Sequence, residues 1–109
     1  MFTHENEIKE LIELLDSSLK NRLKKFVLYG SVARQTESTE SDIDCLVIVD
    51  SIDLNVIEVI DDAAANMLVK YGIVFSIIPV IEKNYAEQKY NPLYINVERD
   101  GVVLWPKTA

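Results

Sequence analysis

A small α/β (α+β) fold, a mixed sheet of three to four strands with helices packed against it, is predicted by three observations. A long amphipathic stripe opens the chain. Short, continuously apolar runs at Phe26–Tyr29, Ile43–Val49 and Ile73–Val80 have the length and character of buried strands. A second helical stripe separates the last two runs, the arrangement of a crossover between strands.

The first helix is expected from Glu5 to about Lys25. Ile8, Leu11, Ile12, Leu15, Leu19 and Leu23 fall on one face at helical spacing. Acidic residues crowd its first turns, and Lys20, Arg22, Lys24 and Lys25 crowd its end, which complements the helix dipole. Phe26–Tyr29 then reads as a short buried strand ended by Gly30, followed by a helical turn over 31–35 and a polar loop over 36–41. Ile43–Val49 is the central strand. Asp53 is placed to cap a helix running from Leu54 to Tyr71, with Val56, Ile57, Ile60, Ala64, Met67 and Leu68 facing inward and Gly72 closing it. Ile73–Val80 is the third strand, whose ladder Pro79 is expected to end. Glu82–Tyr90 and Leu93–Arg99 read as short helices divided by Asn91-Pro92, and Val102–Leu104 as a final short strand after Asp100-Gly101.

The chain of 109 residues is expected to form one domain, 1–109. Eleven Lys and Arg against 18 Asp and Glu leave a formal net charge of −7, the opposite of a phosphate-neutralising surface, so direct nucleic-acid binding is not expected. An acidic surface favours solubility or a basic protein partner. The N-terminus has no signal-peptide pattern, and no apolar stretch approaches the ~20 residues of a membrane span. The single cysteine, Cys45, sits inside the central apolar run, so no disulfide can form within the chain. It reads as a small buried hydrophobe, and the setting as a reducing cytoplasm. His4, the only histidine, lies near the N-terminus, which argues against histidine triads and zinc sites.

Chemistry concentrates between residues 30 and 44. Asp42 and Asp44 are two apart at the start of a strand, so both carboxylates can point to one face and converge on a cation. Mg2+ takes oxygen ligands and is commonly held by one or two carboxylates together with substrate phosphates. A bare D-x-D is equally the edge of a loop, with Asp42 capping a turn. Gly30 permits a close backbone approach or a positive φ, and Ser31 adds a hydroxyl and amides able to meet an anion. Arg34 can reach a phosphate oxygen or pair with the aspartates, or lie on the surface.

Gly30-Ser31, ten intervening residues and Ser41-Asp42-Ile43-Asp44 together resemble the signature of the polymerase-β-like nucleotidyltransferases. The form G-S-x-A-R followed by S-D-I-D is similar to the minimal nucleotidyltransferase branch, and the likeness runs through the closing 96–101 segment. The resemblance implies the nucleotidyltransferase fold, ATP as substrate and Mg2+ as cofactor. It implies triphosphate binding by Gly30 and Ser31, metal binding by the catalytic pair Asp42 and Asp44, and an arginine position filled by Arg34. It also implies an antitoxin that adenylylates a tyrosine of a helical HEPN-type toxin. Val32 and Gln35 stand where an arginine and a glycine are frequent in this signature. The third carboxylate of the superfamily lies on a later strand, and the matching run Ile73–Ile78 offers only Ser76. A general base contributes about 10²–10⁴-fold, so a stoichiometric binding module stays open as the alternative to an enzyme.

Tyr71, Tyr85, Tyr90, Tyr94 and Trp105 are expected to pack rather than stack on a base. Tyr85, Tyr90, Leu93 and Tyr94 around Pro92 could instead form a partner patch. Glu58, Asp61 and Asp62 read as the solvated face of the second helix, or as a docking surface for a basic partner.

Overall fold

The computed structural model describes residues 4–30, 42–87 and 91–106. Its elements are α1 (Glu5–Leu19), a 3₁₀ turn (Lys20–Arg22), β1 (Leu23–Tyr29), β2 (Ile43–Val49), α2 (Leu54–Tyr71), β3 (Phe75–Ile81), α3 (Glu82–Glu87), α4 (Pro92–Asp100) and β4 (Val102–Trp105). The strands form one mixed sheet in the order β3-β2-β1-β4. β1 is antiparallel to both β2 and β4, whereas β2 and β3 are parallel and joined through α2. The expected α/β architecture is present, with the fourth strand formed.

Period-two alternation divides the sheet's side chains between two cores. Phe26, Leu28, Ile43, Cys45, Val47 and Val49 point to one face and meet α1 and α2 through Leu11, Leu15, Val56, Ile60 and Met67. Val27, Leu46, Ile48 and Val80 point to the other, where Val97 of α4 and the partly buried Tyr29, Ile78, Tyr85 and Tyr94 cover them. Central β2 is therefore buried on both sides, which is why its sequence is apolar at consecutive positions.

α1 is shorter than its stripe suggested. Lys20 leaves the helical region at φ 55°, and Leu23 pairs with Val49 of β2 instead of extending the helix. A lone leucine four residues after Leu19 satisfies strand and helix alike, and the ladder to β2 decides between them. Lys20 and Arg22 consequently lie in the 3₁₀ turn, and Lys24 and Lys25 in β1, so none of the four stands in the last turn of α1.

Arg22 has a different task, holding the turn between β2 and α2. Its Nε donates to Asp50 Oδ1 at 3.0 Å, its Nη1 to Asp53 Oδ1 at 3.2 Å and its Nη2 to Ser51 Oγ at 2.9 Å. Asp53 caps α2 as expected, accepting from the Val56 N–H at 3.0 Å. Gly72 closes α2 at φ 69°, its N–H donating to the Leu68 carbonyl at 2.8 Å.

The buried face of α2 is Val56, Ile60, Ala63 and Met67, while Ile57 and Leu68 are exposed. Packing against α1 turns the helix so that Ala63, rather than Ala64, meets the core. Glu58, Asp61 and Asp62 are solvent-facing, as read from the sequence. β3 starts at Phe75 and continues through Pro79, which pairs in register with Val47. Pro79 does not end the ladder because β3 is an edge strand, where a missing N–H can face outward. Pro92 opens α4, a position where its absent N–H costs no helical bond. The expected turn over 31–35 and loop over 36–41 lie outside the described residues, as do residues 88–90 of the first short helix.

Candidate active site

The ends of three strands meet where β1 leaves the sheet and β2 and β3 enter it. The antiparallel register sets Tyr29 opposite Asp44, and the parallel register sets Ser76 on the other side of Asp44. Tyr29, Asp44 and Ser76 thus form one row across adjacent strands, spaced by about 4.8 Å per strand. Alternation aims this row at the face covered by α3 and α4, because Val27, Leu46, Ile48 and Ile78 share that face. Asp44 is half-buried and Asp42 is exposed. The Ile43 N–H donates to the Val74 carbonyl at 3.0 Å, which carries the β2–β3 pairing up to the residue between the two aspartates.

Gly30 closes the site from β1. It adopts φ +79°, and a Cβ built on it would stand 2.5 Å from Asp44 Oδ2. Both the backbone conformation and the contact require glycine. The missing side chain brings the carboxylate of Asp44 against the backbone that leads into Ser31. Of the five residues singled out from sequence, the structure brings together Gly30 and Asp44, with Asp42 two residues from Asp44. Ser31 and Arg34 lie outside the described residues, as does Ser41.

Tyr29 is the site residue that sequence reasoning missed. It read as the last member of an apolar run, yet the register puts it beside Asp44. Burial, followed by the negative charge of Asp44, holds its phenol above the usual value. The signal was available: Tyr29 alternates with Val27 and directly precedes Gly30-Ser31.

Cys45 points the other way, into the core under α1 and α2. It is fully buried, its thiol reaches toward the Ser76 carbonyl at 3.8 Å, and burial pushes its pKa far up. It is a packing residue, as its place in the apolar run suggested. Tyr85 and Tyr94 also pack, with ring centroids 5.2 Å apart over the second core. Tyr90 and the Leu93 side chain, the other members of that aromatic group, lie outside the described residues.

The donor chemistry is oxygen only: two carboxylates, the Ser76 hydroxyl and nearby backbone. Such a set suits a hard cation that completes its shell with phosphate oxygens and water. Among the described residues no group of three or more His, Cys, Asp or Glu is arranged to hold a metal alone. Ser76 takes the place, in register with Asp44, where a third acid would complete one. Among the described residues no helix is long and apolar enough to cross a membrane.

Comparison with known proteins agrees with this geometry. Residues 8–107 match the family described as nucleotidyltransferase domain. A Methanocaldococcus jannaschii protein, whose name proposes protein adenylyltransferase activity, is 35% identical over 101 residues, covering 93% of this chain and 97% of the relative. A chain from a crystal structure of a toxin–antitoxin with AMP-PNP superposes with a TM-score of 0.65 at 21% identity, over 97% of this chain and 76% of that one. A chain from the complex of tri-AMPylated Shewanella oneidensis HEPN toxin with MNT antitoxin superposes with a TM-score of 0.59 at 17% identity, over 96% of this chain and 74% of that one. At these identities the two structures establish a shared fold.

Proposed function

Since the chain belongs to the nucleotidyltransferase domain family, we propose that it is an antitoxin, a Mg2+-dependent adenylyltransferase that moves AMP from ATP to a tyrosine of a cognate helical HEPN-type toxin. The observation that carries the reading is the contact of Gly30 with Asp44. A glycine at positive φ ends β1 directly against the second aspartate of D-x-D, so the turn that leads into Ser31 starts beside a carboxylate. The fold shared with toxin–antitoxin proteins supports the choice of acceptor.

In this reading the whole chain, 1–109, is one catalytic domain working in the cytoplasm. Gly30 and the Ser31 amide and hydroxyl bind the triphosphate, with Arg34 pairing a phosphate oxygen. Asp42 and Asp44 are the metal-holding carboxylates. Mg2+, when bound, neutralises triphosphate charge and polarises the phosphate under attack. The acceptor's phenol oxygen bonds to the α-phosphorus, the bond to pyrophosphate breaks, and the phenol proton passes to water. Tyr29 lies beside Asp44 as a neutral phenol, whose pKa burial and then the Asp44 charge push further up.

A second reading has one specific observation in its favour. Ser76 stands in register with Asp44 and supplies no carboxylate to accept the phenol proton. The domain would then silence its partner by stoichiometric binding.

The two readings part in one experiment. The protein is incubated with ATP labelled at the α-phosphate, Mg2+ and the helical HEPN-type protein proposed as its acceptor. Label on the partner, abolished by Asp42→Asn or Asp44→Asn, supports the transferase. Absence of label, with the same variants still neutralising the partner in cells, overturns it in favour of stoichiometric binding.

A further inference from the structure

On the face opposite the carboxylates, α1 and β4 enclose a cleft of about 280 Å³. Its floor is apolar, made by Ile8 and Ile12 of α1 with Leu104 and Trp105 of β4. Both isoleucines are buried from bulk solvent, while Leu104 and Trp105 are only half-covered. The rim is acidic: Glu5, Glu13 and Asp16 stand around it against the single ammonium of Lys9. The volume exceeds the ~150 Å³ of a cavity that accepts benzene, so it has room for one large apolar side chain.

These features select an occupant. An apolar pocket with a rim of one sign is matched by an anchor side chain flanked by the opposite sign, the usual composition of an interface hot spot and its surround. A second copy of the chain is a poor match, since each copy carries a net charge of −7. The sheet also explains why the cleft is available. β4 is an edge strand only four residues long, so among the described residues α1 overhangs it without a further strand to close the side. A partner seated in the cleft would bind on the far face of the sheet from Asp44.

We propose that the α1–β4 cleft is the docking site for a basic segment of the protein acceptor, which inserts one aromatic or aliphatic side chain between Ile12 and Trp105. The inference rests on the proposed function for the identity of that acceptor and adds the surface by which it is held. Docking away from the carboxylates would leave the active site free to receive ATP and the acceptor tyrosine. It gives affinity independent of the nucleotide.

The test uses the full chain and the HEPN-type acceptor of the proposed function, without ATP. Trp105 is the only tryptophan, so incorporation of 5-fluorotryptophan gives a single 19F resonance located in the cleft. Titration with the unlabelled partner is expected to shift that resonance, and affinity should fall as salt rises. Glu13→Lys/Asp16→Lys is expected to weaken binding by at least about tenfold. Glu58→Lys/Asp62→Lys on α2 makes the same change in net charge outside the cleft lining and should alter affinity less than about twofold. Circular dichroism establishes that both variants fold. Equal weakening by the two variants would show a response to overall charge and overturn the proposal. An unshifted resonance on a saturated complex would overturn it too, as would a shift that follows the protein's own concentration without partner. Adenylyl transfer is assayed separately with the unsubstituted chain, so docking without any transfer refutes the enzymatic reading alone, and transfer without a shifted resonance refutes the docking site alone.

Discussion

Replacing Gly30 with alanine puts a methyl group into space held by the Asp44 carboxylate. Two costs are incurred, and the structure allows them to be separated. The first is backbone strain: a non-glycine residue in the left-handed region costs roughly 1–2 kcal/mol, partly offset by about 0.4–1 kcal/mol from a less flexible unfolded chain. Gly72 carries the same strain at φ +69° but has no atom within 4 Å of its would-be Cβ. Gly72→Ala therefore reports backbone strain alone. Gly30→Ala adds the clash at 2.5 Å from Asp44 Oδ2, which is relieved by turning the Asp44 side chain off its rotamer or shifting β1 against β2. A rotation of that kind costs about 0.5–1.5 kcal/mol. For a domain of this size 1 kcal/mol moves Tm by about 4 °C, so Gly72→Ala should lower Tm by a few degrees and Gly30→Ala by about twice as much. The functional contrast should be sharper. Displacing Asp44 is expected to weaken Mg-ATP binding at least about tenfold in calorimetry, equivalent to 1.4 kcal/mol, while Gly72→Ala binds as the parent does. Equal Tm losses together with unchanged nucleotide affinity would refute the contact between Gly30 and Asp44 as the organising feature of the site.

Three further outcomes are expected. Ser76→Asp sets a third carboxylate in register with Asp44; it should raise the transfer rate about ten- to a hundredfold and make Tm rise on adding Mg2+ by more than in the parent, and a Tm blind to Mg2+ would count against that placement. Cys45, buried with its thiol pKa pushed far up, should resist iodoacetamide in the native protein and take up one label per chain in denaturant, as mass spectrometry would report. Glu10 is held below the usual carboxylate range by hydrogen bonds from Tyr71 and Lys70, Asp50 by Arg22, and Asp53 by the Val56 N–H. Because these folded pKa values are depressed, their stabilisation is present above the unfolded values near 4 and is lost as pH falls through the folded ones. Tm should accordingly drop on acidification below about pH 4, less steeply in Arg22→Ala, and a flat profile would contradict the ion-pair geometry.

Much of the fold was legible because local chemistry and tertiary packing agree. β2 was bounded correctly at both ends, since a strand covered on both faces must be apolar along its length, as it is from Cys45 to Val49, with Asp44 at the half-buried end that meets the site. α2 was bounded equally well, because Asp53 and Gly72 are cap residues whose function is local. Where a residue suited two partners, the reading failed. Leu23 fits the α1 stripe and the β2 ladder, Pro79 is a breaker only inside a sheet, and the inward face of α2 depends on where α1 lies.

The same division runs through the site. Gly30, Asp42 and Asp44 could be chosen from their spacing, since turn, strand and D-x-D are properties of neighbouring residues. Ser31 and Arg34 were chosen on the same grounds and stand on the motif alone. That the carboxylate of Asp44 lies against Gly30, between Tyr29 and Ser76, is a matter of strand order and register. Register is set by which apolar residues of β1, β2 and β3 face each core, and a slip of one residue would send Asp44 to the opposite face. Short-range chemistry was therefore written in the chain's local pattern, and the grouping of Tyr29, Asp44 and Ser76 into one row came from hydrogen-bond ladders between segments far apart in sequence.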